Sequence, residues 1–208
     1  ELNPDGVSGV IVTSGGQVEL SSTSDKFFEE DFVGNIKLFE GSIIDVSAGA
    51  WVTTDEKVVY GDPGQLAIAA NADANDSIVL IDGDLKGYGF DSGGGLSIEA
   101  NNIWIGESQE TLDRNYLHLQ PQFLNQGGFE NIELVANRDY LVVADNTEID
   151  LSLSNWQLSA DTALMESNTS LEGQVNVVSL PEWQRHSVQL SLSAMTDINS
   201  SYATTVYE

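Results

Sequence analysis

Closely spaced carboxylates are the residues of this chain best suited to bind or react. Asp82 and Asp84 flank Gly83, Asp73 and Asp76 bracket Asn75, and Glu29, Glu30 and Asp31 run consecutively. A calcium ion takes about six to eight oxygens from flexible loops, and carboxylates at alternate positions supply several at once. Asp82, Asp84, Asp73 and Asp76 are therefore the calcium candidates, and calcium is the single cofactor the sequence suggests. No EF-hand loop and no Gly-Gly-x-Gly-x-Asp nonapeptide repeat accompanies them, so the plainer reading of each set is a solvated turn.

The same carboxylates would serve a glycan hydrolase only if two of them converged across a sugar, which spacing along the chain does not reveal. A lyase acting on an anionic polysaccharide needs basic residues to neutralise it, and the chain has seven Lys and Arg. A zinc centre is disfavoured: there is no cysteine, and the two histidines, His118 and His186, are far apart. No Gly-x-Ser-x-Gly elbow is present. Gly93-Gly94-Gly95 is followed neither by a helical pattern nor by Lys-Ser/Thr, and reads as a turn into a strand. No catalytic and no organic-cofactor residues are assigned, and the chain reads as a binding or structural protein rather than an enzyme.

Aromatic side chains offer a second kind of contact. Trp51, Trp104, Trp156 and Trp183, with Phe27, Phe28, Tyr60, Tyr88 and Phe90, would form a carbohydrate-stacking strip if exposed. Trp104 alternates with Ile103 and Ile105 and is expected to face outward. Trp104 and Tyr88 are the ligand-binding candidates, with core or stacking roles the competing reading for most of the set.

Charge narrows the partners. Thirty-three Asp and Glu against seven Lys and Arg give a formal charge of −26. Affinity for phosphate backbones and for anionic membrane surfaces comes from cations, so neither nucleic acid nor membrane insertion is expected. The acidity suits a solvated exterior or a saline habitat. No apolar run approaches the roughly twenty residues of a membrane-spanning helix. The sequence starts at Glu1 and stops in a β-prone stretch at Tyr207-Glu208, and reads as part of a longer polypeptide or a processed product.

The elements that must hold these residues are short strands. Gln17-Val18-Glu19-Leu20, Asn35-Ile36-Lys37-Leu38, Gln65-Leu66-Ala67-Ile68, Gly95-Leu96-Ser97-Ile98, Asn131-Ile132-Glu133-Leu134 and Gln174-Val175-Asn176-Val177 each alternate at period two. Several follow a glycine: Gly16, Gly34, Gly64, Gly94 and Gly173. A second strand follows most of them, at Ser42–Val46, Ser77–Ile81, Asn102–Ile105 and Thr147–Leu151. A glycine-headed pair of strands that recurs every few tens of residues indicates a solenoid. The expected fold is all-β, a right-handed parallel β-helix with protruding loops, as one segment over residues 1–208. Irregular insertions are expected near 107–126, with a short helical or extended loop, and near 156–171, the other candidate for a helical turn.

An ordered series of segments resembles the filamentous-haemagglutinin-like large exoproteins of Gram-negative bacteria. Gly41-Ser42-Ile43-Ile44-Asp45-Val46-Ser47-Ala48-Gly49 is similar to their "IDVSGG" segment. Val59-Tyr60-Gly61-Asp62-Pro63-Gly64-Gln65-Leu66 is similar to "YGDGG-x-L". Asp84-Leu85-Lys86-Gly87-Tyr88 and Gly93–Ala100 follow in the family's order, then Leu117–Leu124 with Gly127-Gly128-Phe129. Ala48 replaces one glycine of the pattern, Pro63 interrupts a glycine pair, and the acidic loops are a further departure. The likeness covers roughly residues 41–153. It implies a right-handed parallel β-helix, secretion to the cell surface by a two-partner pathway through an outer-membrane barrel transporter, and no active site.

The function expected from residues and resemblance together is an extracellular structural or adhesive rod mediating adhesion, aggregation or filament and biofilm structure. Its partners would be a host surface, glycan or matrix ligand, and copies of itself in filaments. A carbohydrate-active β-helix enzyme and a calcium-dependent β-sandwich adhesin module are the rivals.

Overall fold

Period-two alternation sends one set of side chains to each face of an extended chain, and an apolar set can be buried only if a neighbouring strand keeps the same register. The computed structural model is built on that rule. It describes residues 13–22, 34–53, 57–70, 77–107, 116–138, 140–159, 162 and 173–195.

Its largest unit is a five-stranded sheet of β1 (Gln17–Ser21), β6 (Gln65–Ala69), β9 (Gly94–Ala100), β12 (Phe129–Ala136) and β16 (Gln189–Ala194), in that spatial order. Every neighbouring pair is parallel. Register places Val18, Leu66, Leu96, Ile132 and Leu190 in one inward row, and Leu20, Ile68, Ile98, Leu134 and Leu192 in the next. In the three middle strands these side chains are almost fully buried. Burying each Leu or Ile is worth about 1.5–3 kcal/mol, so the rows themselves enforce the register.

The chain between these strands pairs in the same sequential manner. β2 (Ile36–Leu38) is parallel to β7 (Val79–Ile81), and β3 (Ile43–Asp45) to β8 (Asp84–Lys86). β10 (Asn102–Ile105) lies between β11 (Tyr116–Leu119) and β13 (Leu141–Val143), parallel to both. Main-chain bonds continue the match past the strand ends: Val46 N–H donates to Lys86 O at 2.8 Å, Ala48 N–H to Tyr88 O at 2.9 Å, and Gly87 N–H to Gly127 O at 2.7 Å. Residues from all three groups of strands meet in one apolar cluster that includes Val79, Leu85, Ile103, Ile105, Leu117 and Leu119. The protein is thus all-β, with parallel sheets.

Two antiparallel hairpins depart from this scheme. β4 (Ala50–Val52) pairs with β5 (Val58–Tyr60), and β14 (Ser154–Leu158) with β15 (Val175–Ser179). Three expectations are corrected here. Gln174–Val177 contributes to the second hairpin rather than to a parallel repeat. Trp156, expected at the start of a helical turn, lies in β14; Thr162, within the same expected stretch, has 3-10 conformation, and 160–161 and 163–172 lie outside the described residues. Thr147–Leu151 forms no strand: Asn146 adopts φ 57°, and Thr147 N–H turns back to Ala144 O at 3.2 Å. Within 107–126 the described part holds β11 and a 3-10 helix, Pro121–Asn125, that buries Leu124. No helix among the described residues is long and apolar enough to cross a membrane.

Candidate functional site

The two hairpins matter because of the aromatic residues they carry. β5 ends on Tyr60, the chain leaving β8 presents Tyr88 and Phe90, and β14 presents Trp156. Trp156 N–H donates to Gly89 O at 2.8 Å, and Tyr88 N–H donates to Ser47 Oγ at 3.0 Å, which fixes the backbone under the rings. Tyr60 stacks on Phe90 with centroids 5.5 Å apart, and Tyr88 stacks on Trp156 at 5.8 Å. Phe90 meets Trp156 edge-on at 6.1 Å and so joins the two stacks. The Tyr60 hydroxyl donates to Asp91 Oδ2 at 3.1 Å.

This cluster is a platform rather than a core. Tyr60 is 40% exposed, its strand neighbours Val58 and Val59 are also exposed, and Phe90, Tyr88 and Trp156 are half-buried. An exposed ring stacks on the C–H face of a sugar, and an adjoining carboxylate accepts hydroxyl protons. Burial raises the pKa of the Tyr60 hydroxyl, helped by its hydrogen bond to Asp91 and by that carboxylate's charge. Burial also raises Tyr88; a hydrogen bond from the Gly127 backbone opposes this, and the charges of Asp84 and Asp45 add to it. Both phenols therefore stay neutral at ordinary pH.

Trp104 is placed elsewhere. Its ring lies on the opposite side of β10 from Ile103 and Ile105, as alternation predicts, yet it is only 9% exposed. Tyr116 meets it edge-on at 6.5 Å, and the indole N–H donates to Glu107 O at 3.0 Å. Trp104 is thus a packed residue with little ring face for a ligand, which corrects the expected outward exposure. Its cross-strand partner His118 has a pKa lowered by burial. Trp183 is 81% exposed in a turn, Trp51 is half-buried in β4, and Phe27 and Phe28 lie outside the described residues.

Of the calcium candidates, Asp82 and Asp84 are exposed where the chain enters β8. Asp82 N–H donates to Leu38 O at 2.8 Å and Asp84 N–H to Ser42 O at 2.9 Å, so backbone pairing fixes this turn. Among the described residues no group of three or more His, Cys, Asp or Glu side chains is placed to hold a metal ion. Asp73 and Asp76 lie outside the described residues, as do Glu29, Glu30 and Asp31.

A second surface feature crosses the five-stranded sheet on its outer face. The register that turns Val18, Leu66, Leu96, Ile132 and Leu190 inward turns Gln17, Gln65, Gly95, Asn131 and Gln189 outward in one row. The next outward row is Glu19, Ala67, Ser97, Glu133 and Ser191. Together the rows, Glu19 excepted, border a groove of about 480 Å³. Neither this row nor Asp91 was singled out from the sequence, although an amide does precede the first apolar residue of β1, β6, β16 and the alternating part of β12.

No family model, curated protein or solved structure matches the chain.

Proposed function

We propose that the chain is a segment of a right-handed parallel β-helix rod from a secreted bacterial exoprotein of the filamentous-haemagglutinin-like kind. Its role is adhesive, on the bacterial surface, with export through an outer-membrane barrel transporter. The observation that carries this reading is the order β1-β6-β9-β12-β16, parallel and in register, with β2–β7, β3–β8 and β10–β13 pairing in the same sense between them. A chain that returns to the same side after each pass, and stacks each pass on the last, is the economical way to satisfy all of these pairings. The glycine-rich parts of the exoprotein-like motifs, Gly61–Gly64, Gly87–Gly93 and Gly127-Gly128, lie between strands, as the corners of such a path would.

In this role the stacked sheet transmits load and the hairpins provide contact. The Tyr60, Phe90, Trp156 and Tyr88 platform, with Asp91 at its margin, is the contact surface for a sugar on a host or matrix glycan. Each contact is weak, and repetition along a rod supplies avidity. Binding of the labelled full chain to a printed array of surface glycans tests this. Tyr60→Ala and Trp156→Ala are expected to lower the retained signal about tenfold, as loss of one or two stacking contacts does. Equal retention by both variants and the parent would contradict a role for the platform.

A further inference from the structure

We propose that the groove on the outer face of the five-stranded sheet is a second binding site, for a neutral, hydroxyl-rich glycan chain lying across the strands. It is separate from the aromatic platform, and it stands or falls independently of it.

Five strands at about 4.8 Å spacing make a row roughly 19 Å from end to end. The groove touches all five strands, and its volume of about 480 Å³ lies in the range of ligand sites. Ala67 and Gly95 form the low part of its floor, with the Gln65 side chain lying over Gly95. A Cβ at Gly95 would collide with the Gln65 amide, so Gln65 leans over the middle strand and carries the row across the gap. A long open trough with a low floor suits a linear chain better than a compact molecule.

Gln17, Gln65, Asn131 and Gln189 are exposed, and each amide offers two N–H donors and a carbonyl acceptor. Neighbouring sugar hydroxyls both donate and accept, so one amide meets two of them. The amides recur at strand spacing, as hydroxyls recur along a polymer. A peptide is less well suited: the backbone groups of these strands are already engaged in the sheet, and a face offers no edge for strand addition.

Among the described residues no Lys, Arg or His borders the groove, Glu133 does, and Glu19 stands in the same outward row as Glu133. On a chain of net charge −26, that field repels polyanions and leaves neutral chains. Hydrogen bonds to sugars replace hydrogen bonds to water, so affinity per sugar is small and must accumulate with length.

Calorimetric titration of the full chain with cellobiose, cellohexaose, maltose, maltohexaose and polygalacturonate tests the proposal. At least one hexaose is expected to bind about tenfold or more tightly than its disaccharide, and polygalacturonate not at all. Gln65→Ala/Asn131→Ala is expected to weaken the hexaose about tenfold with an unchanged melting temperature. Ala67→Trp, which fills the floor and spares the amides, should also block it, whereas Trp156→Ala should leave it intact. Absence of binding by both hexaoses would overturn the proposal. So would binding lost in Trp156→Ala but kept in the amide variant, which would assign it to the platform. An amide variant that melts earlier yet binds normally would show that the row is only a ladder supporting the stacked strands.

Discussion

Leu134→Ala is expected to destabilise the protein by about 2–5 kcal/mol, the cost of removing a buried leucine and leaving its cavity. Leu134 is fully buried in β12, between Ile98 of β9 and Leu192 of β16 in the same inward row. The neighbouring strands are held by their own main-chain bonds and cannot close over the gap. Leu134→Met, which keeps the volume, should cost less than about 1.5 kcal/mol, and the adjacent outward substitution Glu133→Ala about 0.5 kcal/mol or less. Urea unfolding followed by circular dichroism measures all three. A Glu133→Ala loss as large as that of Leu134→Ala would mean that the two faces of β12 are assigned the wrong way round.

Gly128→Ala is expected to be as damaging, for a different reason. Gly128 adopts φ +73°, which costs an L-residue about 1–2 kcal/mol. An added Cβ would also fall 2.3 Å from Tyr88 Cδ1 and 2.9 Å from Tyr88 Cα, the latter a backbone atom that cannot swing aside. The combined loss should reach about 3 kcal/mol or more, and displacement of Tyr88 should change the fluorescence of Trp156 stacked against it. Gly173 provides the control, because its φ of +76° is similar and a Cβ there meets nothing within 4 Å among the described residues. Gly173→Ala should therefore show only the conformational cost of about 1–2 kcal/mol and leave Trp156 fluorescence unchanged. Equal losses at the two glycines would argue against the close packing of Gly128 on Tyr88.

These two sites show what the sequence made legible. Gln65–Ile68, Gly95–Ile98 and Asn131–Leu134 were readable as strands because their apolar residues alternate and have one core to face. β8 was less readable: Asp84-Leu85-Lys86 has a single apolar residue, and it is a strand because β3 pairs with it. The hairpin of β14 and β15 depends on contacts between distant segments, which local alternation does not report. Trp104 illustrates the same limit from the other side. Alternation gave the direction of its ring, but not that Tyr116 and the Glu107 carbonyl would cover it. Asp91 is 31 residues from Tyr60 along the chain, so its place beside the platform depends on contacts that local sequence does not report. The outward amide row was written in the sequence, and its meaning appeared only once register aligned it.

The central claim is that successive passes of the chain stack in order, each displaced by one strand from the last. Because the chain contains no cysteine, pairs of nitroxide labels can be placed at Gln17 and Asn131, and at Gln17 and Gln189, without competing sites. Strand spacing predicts backbone separations of about 14 Å for the first pair and about 19 Å for the second, measured by pulsed electron spin resonance as broad distributions in that order. A Gln17–Gln189 separation no longer than Gln17–Asn131, or either one extended to many tens of ångströms, would contradict the stacked arrangement.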